Sequence, residues 1–203
     1  MDSIIFSKQR FFIILGVVTL FSLGPFVYFL FNNSNRDNLT VLSKQAKAEL
    51  STSQIGKPVR ITIPSIGVDA FIENAGLNLL GEMDVPKNPR NVSWFDLGPR
   101  PGEKGSAVVA GHFGWKNNIP AVFDNLYKLK KGDELFIEDK NGLIIAFTVL
   151  ESRIYFSQSD ASKVFNTNDG NSNLNIVTCE GVWDKISKSY SGRLVVFTIK
   201  NNK

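Results

Sequence analysis

The chain contains a single cysteine, Cys179, and a single histidine, His112. Each closes an apolar run, Ile176-Val177-Thr178-Cys179 in one case and Val108-Val109-Ala110-Gly111-His112 in the other. One thiol cannot form an internal disulfide. One thiol and one imidazole fall two ligands short of an ordinary structural zinc site. What they can form is a nucleophile and its acid–base partner, if the fold brings them together.

Arg193 opens a third apolar run, Arg193-Leu194-Val195-Val196-Phe197. If this run pairs antiparallel with the one ending at Cys179, the end of the first strand faces the start of the second, and Cys179 and Arg193 become neighbours. A guanidinium beside a thiol stabilises the thiolate. It can also donate to a carbonyl oxygen as negative charge develops there. Each residue alone has a plainer reading. A lone cysteine is often a small buried hydrophobe, a lone histidine a satisfied hydrogen-bond partner, an arginine at a strand start a solvated charge. The three together, at strand ends, point to acyl-transfer chemistry.

The elements that must position these residues are mostly strands. Residues 59–63 alternate β-branched and polar side chains and stop at Pro64, and 68–72 read as a second strand. Residues 86–105 hold four prolines and three glycines and read as loop. A strand is expected over 106–110 and a short helix over 119–126, where Ile119, Val122, Phe123 and Leu126 recur at helical spacing. Asn141-Gly142 marks a hairpin between 134–138 and 143–150. Ser159 or Asp160 caps a short helix over 161–165. Strands over 174–178 and 193–200 close the chain, with a loop at 180–192 between them. Seven or eight short strands without alternating long helices predict an all-β barrel or sandwich.

The N-terminus differs in texture. Residues 11–31 form an uncharged apolar run of 21 residues, long enough as a helix to cross a bilayer core of about 30 Å. Lys8 and Arg10 precede it and a nearly neutral polar stretch follows. The positive-inside bias then leaves residues 1–10 in the cytoplasm and everything after 31 outside. A cleaved signal peptide would have a shorter apolar core and a small-x-small cleavage site. A buried core helix would not be apolar on every face. The expected organisation is a cytoplasmic N-terminus (1–10), a transmembrane signal-anchor (11–31), an extracellular spacer (32–57) and a catalytic domain (58–203). The net charge of +4 is modest, and no Lys/Arg block is dense enough to suggest nucleic acid.

In order along the chain, Ile63-Pro64-Ser65-Ile66-Gly67-Val68-Asp69-Ala70, Gly111-His112, Ala121-Val122-Phe123-Asp124-Asn125-Leu126, Asn175-Ile176-Val177-Thr178-Cys179 and Arg193-Leu194-Val195-Val196 resemble the motifs of the sortases, membrane-anchored cysteine transpeptidases. The likeness runs from Val59 to Lys200. Asn175 and Ile176 stand where the Thr-Leu-x-Thr-Cys signature has Thr and Leu. No Asp-Pro-aromatic lid motif precedes the domain. Met83-Asp84-Val85-Pro86, Trp94 and 98–103 resemble the sortases grouped as class E or class F.

The resemblance implies an eight-stranded sortase-type β-barrel with Cys179 as nucleophile, His112 as general acid/base and Arg193 as stabiliser of substrate and oxyanion, with Thr178 helping to position substrate. It implies cleavage of a Leu-Pro-x-Thr-Gly-like sorting signal on a surface protein. A thioacyl-enzyme then passes the acyl group to an amine, either of a peptidoglycan precursor or of a pilin lysine. No cofactor and no metal are expected. Calcium is the alternative, because some sortases bind it beside the loop preceding the cysteine strand. That loop here holds Asp160 and Asp169 with Asn166, Asn168 and Asn171, and calcium takes about six to eight oxygen ligands. Two other functions use the same chain: a cysteine peptidase that hydrolyses its thioacyl-enzyme, and a tethered β-barrel binding module with an inert thiol.

Overall fold

The structure, a computed structural model, describes Val41 and residues 55–115, 117, 119–156, 159–167, 169–186 and 189–201. The expected span at 11–31 and nearly all of the expected spacer lie outside the described residues. Among the described residues no helix is long and apolar enough to cross a membrane. By its contacts the chain divides into Met1–Ser53 and Gln54–Lys203, and the second unit carries all three candidate residues.

Eight strands form that unit: β1 (Pro58–Ile63), β2 (Val68–Ala75), β3 (Val92–Phe95), β4 (Gly105–Gly111), β5 (Glu134–Asp139), β6 (Ile144–Phe156), β7 (Ser172–Asp184) and β8 (Ser189–Lys200). They close into a barrel in the order β1-β2-β3-β4-β7-β8-β6-β5, with β1 and β5 completing the ring. Most neighbours are antiparallel. Two contacts are parallel, β2 with β3 and β4 with β7. A parallel contact needs a long crossover, and between β4 and β7 the chain makes one through β5 and β6.

Period-two alternation explains which side chains fill the barrel. On β7, Leu174 and Ile176 are fully buried in the main core, beside Val109 of β4 and Val196 of β8. Phe123 and Leu126, from the segment after β4, plug the same core. On the opposite face of the sheet, Val108, Val195 and Val164 form a second apolar cluster. Val164 belongs to the one-turn helix α1 (Ser162–Phe165), which therefore lies over the outer face of β4 and β8.

Three local expectations are corrected. Within the proline-rich stretch 86–105 the chain makes β3; Val92, Ser93 and Trp94 are buried in succession, so alternation gave no signal there. Residues 119–126 do not form a helix. Pro120 interrupts the run, and the Asp124 carboxylate accepts from the N–H groups of Gly114 and Ala121, folding the segment into turns that end in a 3-10 helix at Leu126–Lys128. The stretch 180–192 is not a simple loop: β7 and β8 keep pairing as far as Asp184 opposite Ser189, so the hairpin extends past the barrel end.

One buried carboxylate ties the start of the domain to the β5–β6 hairpin. Asp139 is 2% exposed and accepts from the backbone N–H of Gly56 (2.5 Å), Asn141 (2.8 Å) and Leu143 (2.9 Å). Burial pushes its carboxyl pKa up, but these N–H groups outweigh burial and hold it below the ordinary value. Asp139→Ala strands these donors, and we expect a loss of about 2 kcal/mol in urea unfolding at neutral pH. Because the folded value is depressed, this stabilisation is present above the unfolded carboxyl value and fades as pH falls through the folded one. The wild-type and variant stabilities should therefore converge in acid.

Candidate active site

The parallel ladder of β4 with β7 sets the first pair of site residues. Its last register partners are Ala110 and Val177. Two steps further along each strand stand His112 and Cys179, on the faces that Ala110 and Val177 present. The second pairing comes from the β7–β8 hairpin, in which Cys179 lies directly opposite Arg193. All three line one cleft of about 750 Å³, with Val85, Trp115, Trp183 and Tyr190 also in its wall. Arg193, expected beside Cys179 from antiparallel pairing, is its register partner, and His112 shares the cleft with both.

Gly111 is needed to deliver His112 there. A Cβ at Gly111 would come within 2.5 Å of the Phe123 ring and 2.7 Å of the Val122 side chain. Only glycine lets the end of β4 pass that close to the plug. The backbone N–H of Phe123 also donates to the carbonyl of His112, at 3.1 Å. The plug therefore holds the main chain of the histidine as well as the core.

The imidazole is oriented from a loop that has no chemical motif. His112 Nε2 lies 2.7 Å from the carbonyl oxygen of Pro86. A carbonyl can only accept, so Nε2 carries the proton and donates. In the neutral ring this leaves the lone pair on Nδ1. Trp115 packs edge-on against the ring, with centroids 4.5 Å apart. Proton exchange with the cleft is thereby assigned to Nδ1. No side-chain signal in the sequence identifies a backbone carbonyl in this role. Trp115 is closer to legible, because it stands only three residues after the histidine.

Cys179 is a free, partly exposed thiol. Burial pushes its pKa above the ordinary 9.0, and the Arg193 charge opposes that without cancelling it. The resting group is therefore a neutral thiol at physiological pH, poised to ionise only when a base takes the proton.

Arg193 is held by its own hairpin. Its Nη1 donates to the carbonyls of Gly192 (2.9 Å) and Tyr190 (3.2 Å), and Nη2 donates to the Ser189 hydroxyl (3.3 Å). Three bonds leave part of the five-donor fork for a substrate oxygen. Lysine offers a point charge on a flexible stem in place of this fixed plane. We expect Arg193→Lys to lower kcat/KM about 100-fold, mainly through kcat, in a peptide-cleavage assay.

The outer wall beside these residues is aromatic, a feature that the spacing of the sequence does not announce. Phe113 and Trp183 both pack edge-on against Tyr190, at centroid distances of 5.7 and 5.1 Å. The hairpin extension thus rests on the segment that continues from His112.

Thr178 is brought to the site from the other side of the strand. It is 3% exposed, and its hydroxyl donates to the carbonyl of Gly111 at 2.8 Å. It does not line the cleft; it fastens the cysteine strand to the residue before the histidine. Thr178→Val leaves a buried carbonyl without this donor. We expect a loss of about 1–2 kcal/mol in thermal stability, together with a fall in kcat at little-changed KM, because the His112–Cys179 spacing is loosened.

In the polar loop before β7 the two carboxylates are engaged by local donors. Asp160 accepts from the N–H of Ser162, and Asp169 from the N–H of Asn171 and the side-chain amide of Asn173. Both carboxyls are held below the ordinary range, chiefly by those backbone N–H donors. No group of three or more His, Cys, Asp or Glu side chains that could hold a metal ion occurs among the described residues; Asn168 lies outside them.

A family model described as a sortase domain matches residues 61–200. Sortase C-1 from Actinomyces oris is similar in fold, with a TM-score of 0.57 at 24% identity over 71% of this chain and 72% of that one. So is a lid mutant of sortase A from Corynebacterium diphtheriae, with a TM-score of 0.58 at 20% identity over 74% and 73%. Streptococcus agalactiae sortase C1, in its complex with MTSET, gives 0.54 at 23% identity over 71% and 67%. No curated protein gives a significant match.

Proposed function

The chain belongs to the sortase family and is a cysteine transpeptidase; from that premise we propose that it cuts a Leu-Pro-x-Thr-Gly-like sorting signal and joins the acyl part to an amine outside the membrane. The observation that carries this reading is the convergence of Cys179, His112 and Arg193 on one cleft. The family's chemistry needs no cofactor.

The steps derive from the groups present. The Cys179 thiol gives its proton to His112 Nδ1 as sulfur attacks the carbonyl carbon of the scissile bond. The carbonyl oxygen takes the negative charge and is met by the Arg193 fork. As the carbon–nitrogen bond breaks, the imidazolium returns its proton to the leaving amine and a thioester remains. An incoming neutral amine then attacks the thioester and gives up a proton to Nδ1, and the thiol is regenerated. Burial of Cys179 suits this order. A neutral resting thiol is protected from adventitious oxidants, whose target is the thiolate.

The acceptor is proposed to be a peptidoglycan-precursor amine or a pilin lysine, and the donors surface proteins bearing the signal. Residues 11–31 are proposed as a single-pass anchor with the catalytic domain outside the cell. The segment 83–103 favours the class E or F group. Incubating the full chain with a labelled signal peptide and an amine should yield a ligated product by mass. Product carrying water alone at saturating amine would support the hydrolytic reading instead. Cleavage undiminished in Cys179→Ala would sink both.

A further inference from the structure

Glu73 stands near the end of β2, with Ser93 of β3 as its register partner. Its carboxylate reaches the loop 86–91. Oε1 accepts from the side-chain amide of Asn91 at 2.8 Å, and Oε2 accepts from the backbone N–H of Lys87 at 3.2 Å. The N–H of Asn88 also donates to it. Burial pushes the Glu73 carboxyl up, but these donors, with the charge of Lys87, outweigh burial and hold it below the ordinary value. Glu73 is therefore ionised at neutral pH.

The N–H of Lys87 and the carbonyl of Pro86 belong to one peptide group. That group is trans and planar, so its two polar ends point in opposite directions. One end meets Glu73. The other, the Pro86 oxygen, lies 2.7 Å from His112 Nε2. Carboxylate, peptide and imidazole thus form an unbroken row, with an anion at one end and the acid–base group at the other. Hydrogen bonds in such a row polarise one another. The carboxylate draws on the N–H and shifts electron density onto the Pro86 oxygen, which becomes a stronger acceptor for Nε2–H. The loop is held from its other side as well, where the Pro89 carbonyl accepts from the N–H of Val122 at 2.9 Å.

Among the described residues lining the cleft no side chain is a carboxylate; the titratable or charged groups that share its wall with His112 are Cys179, Tyr190 and Arg193. We propose that Glu73 is the remote carboxylate of this active site: a positioning residue that acts on His112 through the Pro86–Lys87 peptide, fixing the ring with its proton on Nε2 and supporting the positive charge gained when Nδ1 takes the thiol proton. The inference rests on the transpeptidase reading above and deepens it.

The single histidine of the chain makes the test specific. In the full chain, produced without a histidine tag and carrying heavy nitrogen only in histidine, every imidazole signal in a nuclear magnetic resonance spectrum is that of His112. At a pH where the ring is neutral, the wild type should show the Nε2–H tautomer alone, and Glu73→Gln a mixture of both tautomers. In a peptide-cleavage assay Glu73→Gln should lower kcat about tenfold at little-changed KM, less than is lost where a carboxylate touches the imidazole directly. In Glu73→Gln/His112→Ala the loss should be no greater than in His112→Ala, because a residue that acts only through the ring then has nothing to act on. A mere anchor of the loop would instead raise KM through Val85, which precedes Pro86 and lines the cleft, and its loss would add to that of His112. An unchanged kcat, an effect confined to KM, additive losses in the double variant, a single tautomer kept in Glu73→Gln, or a wild-type ring protonated on Nδ1 each overturns the inference and leaves the transpeptidase standing. Failure of the wild type to cleave any signal peptide overturns the transpeptidase reading, while the tautomer comparison, which needs no substrate, still decides whether Glu73 holds the ring.

Discussion

Cys179→Ala should reduce acyl transfer by at least about a thousandfold, to the background of the assay. The cleft offers no second thiol, and neither the imidazole nor the guanidinium beside it can form the thioester. Binding should survive, because the fork of Arg193 and the aromatic wall are untouched; a labelled signal peptide should still be retained in an equilibrium binding assay. Cys179→Ser is the sharper control. It keeps a hydroxyl in place, but with an ordinary pKa far above that of a thiol, a single neutral imidazole is a poor match for it. It should be nearly as inactive as the alanine variant, and it should not accumulate an acyl-enzyme detectable by intact mass.

His112→Ala should cost about 10³–10⁴-fold in kcat/KM, in line with the loss of one positioned general acid–base. The size reflects the state of the thiol. Burial keeps Cys179 protonated, so without Nδ1 nothing in the cleft wall takes its proton. The loss should shrink as pH rises past the raised thiol value, where hydroxide in solution does the work of the missing base. A pH–rate series on the variant should therefore climb steadily on the alkaline side, while the wild type levels off. The double variant Cys179→Ala/His112→Ala should be no worse than Cys179→Ala alone, because groups that act as a unit are not additive.

The sequence disclosed the site better than the fold around it, and the reason is physical. Cys179 ends one apolar run and Arg193 opens another, so antiparallel pairing predicts their meeting, and the hairpin delivers it; His112 joins them through the parallel ladder of β4 with β7, which the residues left open. β3 was hidden because three successive buried residues, Val92, Ser93 and Trp94, have no period, and the surrounding prolines argued for loop. The helix expected at 119–126 failed because an amphipathic spacing cannot outweigh Pro120 and a carboxylate, Asp124, that satisfies two backbone donors in a turn. The length of the hairpin beyond Cys179 was illegible for another reason. Glu180-Gly181 carries a register shift between Glu180 and Trp183, and an irregularity of that kind erases the alternation by which a strand is read. Thr178 could be found but not placed. Its neighbour in the motif lines the cleft, yet one step along a strand turns a side chain to the opposite face.

The closed ring has a consequence for how such an enzyme can choose its substrate. Within the ring the strands spend their lateral amide and carbonyl groups on their neighbours, through to the closure of β1 on β5, whereas β6 beyond Val149 and β7 beyond Val177 run on paired to β8 alone. An extended peptide therefore cannot join the closed part of the ring as a ninth strand, and main-chain pairing of that sort, which is blind to sequence, is not on offer there. Discrimination falls to side chains along the outer face. For an enzyme working among many unrelated extended segments, the closed part of the barrel is a filter: what it ignores by construction is as much a part of its selectivity as what it binds.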